Sequence, residues 1–97
     1  MKKMYVLVRK DLSRSQQAVQ GGHAVAEYLL NNMESTWKNG TLIYLAIKNE
    51  VELIDWLKIL ESKSLLYSIF REPDIGNQIT AVATVSDSNL FQWEILL

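Results

Sequence analysis

No cysteine occurs in the 97 residues, and the chain holds one histidine, one proline and four glycines. The first absence excludes a disulfide framework and a thiolate metal site. The lone His23 leaves too few imidazoles for an ordinary zinc or iron centre, so no metal is expected. Long apolar runs are missing too. Leu42 to Ile47 falls far short of the roughly 20 residues that span a bilayer, and Met4 to Val8 is interrupted by Arg9-Lys10-Asp11 too early for a secretory signal. These absences lead us to expect a soluble, cytoplasmic protein with no membrane segment. No phosphate-binding glycine loop, dinucleotide fingerprint or nucleophile elbow is present, which excludes the common nucleotide and serine-hydrolase routes.

What remains is the composition of one compact domain over residues 1–97, 48% hydrophobic and 22% charged, with a net charge of −1. A strong affinity for nucleic acid would require a local surplus of cations. One exists: half of the ten basic residues, Lys2, Lys3, Arg9, Lys10 and Arg14, fall within residues 1–14, and Asp11 is the only acid among them.

The hydrophobic period sets out the elements. Met4–Val8 reads as a strand covered on both faces. Ser13-x-x-Gln16 is a variant capping box that starts a helix. In it Ala18, Val19, Gly22, Ala26, Leu29 and Leu30 are expected to face a sheet, with Gln16, Gln20, His23 and Glu27 on another face. Asn39-Gly40 marks a turn before a second strand, 41–47. Asn49-x-x-Glu52 caps a second helix running to about Lys63, with Leu53, Ile54, Leu57 and Leu60 inward. Residues 66–70 and 79–85 are two further strands, joined by a loop over 71–77 short enough for antiparallel neighbours. The apolar end, LFQWEILL, must dock on the body or on a second subunit. The order fits a three-layer α/β/α domain with a mixed four-stranded sheet.

The chemistry concentrates in two places. In the first helix, Gly21-Gly22 costs about 1 kcal/mol per glycine relative to alanine. Gly22 is expected to allow close approach to the sheet, and Gly21 to leave room for a substrate beside His23. His23 pairs with Glu27 one turn on, or acts as an acid or base with Gln20, Glu27 or the acidic loop fixing its tautomer. In the loop, Glu72-Pro73-Asp74 lies at the C-terminal side of a strand, where α/β proteins place working residues.

Val8-Arg9-Lys10-Asp11-Leu12, then Ser13-Arg14-Ser15-Gln16, then Ala18-Val19-Gln20-Gly21-Gly22-His23-Ala24 resemble the type-2 peptidyl-tRNA hydrolases. In that family a strand ending in Val-Arg-x-Asp-Leu leads to Lys-Gly-Lys and Ala-x-Gln-x-x-His. The resemblance extends to Trp37 and Gly40, the second helix and the hydrophobic C-terminus. Arg14 and Gln16 stand where the family has lysines, Glu72–Asn77 replaces its Asp-Ala-Gly-x-Thr segment, and Thr80 matches its later threonine.

The resemblance implies hydrolysis of the ester between a peptidyl or N-blocked aminoacyl group and the 3′ end of tRNA, without a cofactor. Asp74 or Glu72 would activate water, with Arg14 and His23 or Thr80 stabilising the oxyanion. Gln16, Gln20, Gly21, Lys10 and Asn77 would contact substrate, the basic N-terminal segment touching acceptor-arm phosphates. The tail and Trp93 suggest a homodimer. The alternative is an inactive relative that binds a nucleotide, small ligand or protein in the same cleft.

Overall fold

The computed structural model describes residues 2–97. Strand β1 (Lys3–Arg9), helix α1 (Arg14–Asn31), β2 (Leu42–Ile47), α2 (Glu50–Ser62), β3 (Tyr67–Glu72), a 3₁₀ turn (Pro73–Ile75), β4 (Gln78–Ser86) and β5 (Ile95–Leu96) follow one another. Both helices begin where the caps predict. Ser13 accepts from the Gln16 N–H and Asn49 from the Glu52 N–H, each satisfying a donor that the first helical turn leaves free.

The strands form one mixed sheet in the order β3-β4-β1-β2-β5. β1 and β2 are parallel, joined by α1, and the other pairings are antiparallel. The sheet therefore has five strands rather than four. The difference lies in the tail, where Ile95 and Leu96 pair with Ala46 and Leu45 along the β2 edge. The tail docks through Phe91, whose ring centroid lies 4.6 Å from Tyr5 and 4.9 Å from Trp56.

Alternation along the strands sends one set of side chains to each helix. Met4, Val6 and Val8 join Ala81, Ala83 and Val85 under Ala24 and Tyr28 of α1. Tyr5, Leu7, Leu45, Ile47 and Val82 pack with Leu53, Leu60 and Phe91 on the α2 side. The layers are thus helix, sheet, helix, as expected.

The face of α1 is not the one the hydrophobic period selects. Gln20, Gly21, Ala24 and Tyr28 are buried, whereas Val19 and Leu30 are 50% and 71% exposed. The helix is rotated so that a glutamine enters the core, and that glutamine organises the cleft described below. No helix among the described residues is long and apolar enough to cross a membrane.

Candidate active site

The parallel strands β1 and β2 end at Arg9 and Ile47, and the N-terminus of α1 rises beside them. Arg9 closes this end of the sheet from inside. Its guanidinium donates to both Asp11 carboxylate oxygens, at 3.0 and 2.9 Å, and to Gln78 Oε1 and the Ile79 carbonyl. The bidentate pair holds the Asp11 carboxyl below its ordinary range and raises the guanidinium above its own. Arg9 is buried and consumed internally, so it is not a phosphate contact. Lys2 and Lys3 lie at the far end of β1 from Lys10 and Arg14, and the strand thereby divides the basic N-terminal segment into two patches.

A cleft of about 390 Å³ opens between the first turns of α1 and the β3–β4 connection, lined by Leu12, Gln16, Val19, Gln20, Glu72, Asp74, Ile75 and Thr80. At its base the buried Gln20 amide links three elements. Its Nε2 donates to Glu72 Oε2 at 2.8 Å and to Gln16 Oε1 at 3.0 Å, and its Oε1 accepts from the Thr80 hydroxyl at 2.7 Å. Among the described residues no buried side-chain polar atom lacks a partner, which makes this network fully satisfied rather than strained.

A β-bulge puts Thr80 into it. Phe70 pairs with Ala81 and Arg71 with Ile79, so Thr80 is the extra residue of β4. Strict alternation would turn Thr80 away from α1, since Ala81 already faces that helix. The bulge places both on the α1 side and sends Ile79 to the opposite cluster. No local sequence signal marks this bulge.

Glu72 receives a second hydrogen bond from the Asp74 backbone N–H at 3.3 Å. The Gln20 amide first, and then this N–H, hold its carboxyl below the usual value, with a smaller contribution from the nearby His23. Pro73 opens the 3₁₀ turn that carries Asp74 to the rim. Gly76 and Asn77, at φ 70° and 59°, reverse the chain into β4.

The remaining expected site residues are placed elsewhere. His23 does not pair with Glu27; its ring stacks on Phe70, centroids 4.3 Å apart and planes 9° from parallel. Among the described residues no hydrogen-bond partner fixes its tautomer for acid–base work. Gly21 does not open space for a ligand, because a side chain there would strike the Tyr44 ring, while Gly22 has free space around it. The close approach expected of Gly22 is therefore made by Gly21, against a side chain of β2. Asn77 is a turn residue whose carbonyl accepts from Arg71, outside the cleft lining. Arg14 and Lys10 line a separate groove on the opposite flank of α1. Among the described residues, no group of three or more His, Asp or Glu side chains is placed to hold a metal ion.

Fold and cleft together define a three-layer α/β protein with a carboxylate site at the C-terminal end of its parallel strands. Comparison with known proteins identifies the class. The family described as Peptidyl-tRNA hydrolase PTH2 matches residues 2–88, and the chain belongs to that family. Among solved structures, a protein of unknown function from Agrobacterium tumefaciens strain C58 superposes with a TM-score of 0.73 at 14% identity, over 99% of this chain and 97% of that one. At that identity the likeness is one of fold. No curated protein matches the chain.

Proposed function

We propose that the protein hydrolyses the ester joining a peptidyl or N-blocked aminoacyl group to the 3′ end of tRNA. The observation that carries this reading, beside membership of the family, is the Thr80–Gln20–Glu72 network opening on a cleft that also holds Asp74 and Gln16.

Glu72 has hydrogen bonds on both carboxylate oxygens and a lowered affinity for protons, which makes it a weak base and a good anchor. Asp74, exposed at the rim, is the group that takes a proton from water. That water attacks the ester carbonyl, and the negative charge develops on the carbonyl oxygen. Gln16 spends its Oε1 on Gln20 and keeps its Nε2 hydrogens for this oxyanion. Collapse expels the ribose oxygen, which recovers the proton from Asp74, leaving a free acid and a tRNA hydroxyl. Thr80, fully buried and bonded to Gln20, is a positioning residue. Leu12, Val19 and Ile75 form an apolar wall suited to the acyl group.

The test is release of N-acetylated amino acid from charged tRNA by the purified protein. Turnover by the wild type, lost in a folded Asp74→Asn variant, supports the reading. A folded wild type without turnover overturns it.

A further inference from the structure

The groove beyond α1 has an origin in the fold and a chemistry of its own. On its face of the sheet α1 packs over β3, β4 and β1, with Trp37 buried in the same cluster. The same face of β2 and β5 is covered only in part, with the Tyr44 ring against Gly21, and forms a depression of about 620 Å³ whose floor includes Tyr44, Ala46 and Leu96. Lys10, Arg14 and Gln17 form its rim, Leu97 closes one end, and no Asp or Glu side chain lines it.

Its donors are unspent. The Lys10 ammonium, the Arg14 guanidinium and the half-buried Tyr44 hydroxyl make no hydrogen bond or ion pair with any described residue. The neighbouring acid, Asp11, is held by Arg9 and does not neutralise Lys10. Gln17 Nε2 donates to the carbonyls of Lys10 and Leu12, at 3.2 and 2.7 Å, fixing the loop that carries Lys10. The first turn of α1 contains no acid to offset the helix dipole.

We propose that this groove binds the phosphodiester backbone of RNA, with Lys10 and Arg14 contacting phosphates and Tyr44 donating to a phosphate or ribose oxygen. The proposal rests on the tRNA substrate inferred above and gives Arg14 a binding role in place of the oxyanion role that its family position implies. Tethering RNA on one flank of α1 lets its acylated end reach the Glu72 cleft on the other. A protein of net charge −1 binds a polyanion through such a local surplus of cations.

Uncharged tRNA titrated by fluorescence anisotropy over a range of KCl concentrations reads binding without catalysis. Lys10→Gln with Arg14→Gln should weaken binding about tenfold or more and flatten the salt dependence by roughly 0.7 to 0.9 in log–log slope for each phosphate no longer neutralised. Arg14→Lys should keep most of the affinity. Tyr44→Phe should weaken binding with little change of slope, while Lys58→Gln, an exposed charge control on α2, should bind as wild type. The double variant binding tRNA with wild-type affinity and slope overturns the proposal. So does a wild type that prefers a polyglutamate peptide to tRNA, an outcome that points to a protein partner. A wild type that binds tRNA through these residues but hydrolyses nothing defeats the proposed function and leaves the groove standing.

Discussion

Gly21 of α1 lies against the ring of Tyr44 from β2, with no room for a methyl group between them. Its neighbour Gly22 faces open space. Alanine at either position gains the same helix propensity, about 1 kcal/mol, so the difference between the two variants isolates the contact. Gly22→Ala should raise stability by about 0.5–1 kcal/mol. Gly21→Ala must displace the Tyr44 ring and should fall below Gly22→Ala by about 1–3 kcal/mol, the usual range for overpacking. Urea denaturation of both reads the difference, and equal midpoints would refute the contact.

Removing the Gln20 amide should damage the site more than its surroundings. Gln20→Leu leaves the Thr80 hydroxyl without its best acceptor and frees Glu72 to move, at about 1–3 kcal/mol of stability. Hydrolysis should fall much further than the loss of folded protein explains. Thr80→Val, which keeps shape but not the hydrogen bond, should reproduce part of the defect in kcat with KM little changed.

The same network predicts a pH dependence. The folded-state pKa of Glu72 is depressed, so its contribution to stability is present above the ordinary carboxylate value and is lost as pH falls through the lowered one. Asp11, depressed by Arg9, acts in the same direction. Melting temperature should therefore decline on acidification into that range. Glu72→Gln together with Asp11→Asn should flatten the decline, and an unaltered acid limb would exclude both carboxylates as its source.

Arg9 and Asp11 differ in exposure, with the Arg9 side chain 9% and the Asp11 side chain 40% accessible. Asp11→Ala should cost about 1–3 kcal/mol, because it leaves a mostly buried guanidinium with only Gln78 and the Ile79 carbonyl. The effect should appear in thermal unfolding while tRNA binding at the groove is retained.

Two aromatics of the tail separate docking from association. Phe91 is 4% exposed and packs on Tyr5 and Trp56, whereas Trp93 is 87% exposed. Phe91→Ala should destabilise by about 3–5 kcal/mol. Trp93→Ser should leave unfolding within about 0.5 kcal/mol. If a homodimer forms through the tail, Trp93→Ser should reduce its mass by light scattering without unfolding it.

Local chemistry made much of the fold legible in the sequence. Ser13 and Asn49 bond to N–H groups three residues away, and strands β1 to β4 keep their apolar signal within a few consecutive residues. The acidic turn at Glu72-Pro73-Asp74 was legible from its place after a strand, and Gln20 stood out as a candidate through the motif order that carries the family resemblance. The tertiary structure alone decided what those residues touch. Gln20 faces inward because Glu72 and Thr80, 52 and 60 residues away, satisfy its amide, and an apolar periodicity count treats such a position as surface. Thr80 reaches it only through a bulge defined by pairing with β3, and Gly21 is required by a ring on another strand. Arg14 and Glu72 fall on opposite flanks of α1 because the helix packs over β3, β4 and β1 and leaves a groove on either side. Sequence by itself thus determined the two helices and strands β1 to β4, since caps and apolar runs depend on bonds and neighbours within a turn or two of chain; the fifth strand, and which of the candidate residues meet, were set by long-range packing and hydrogen bonding.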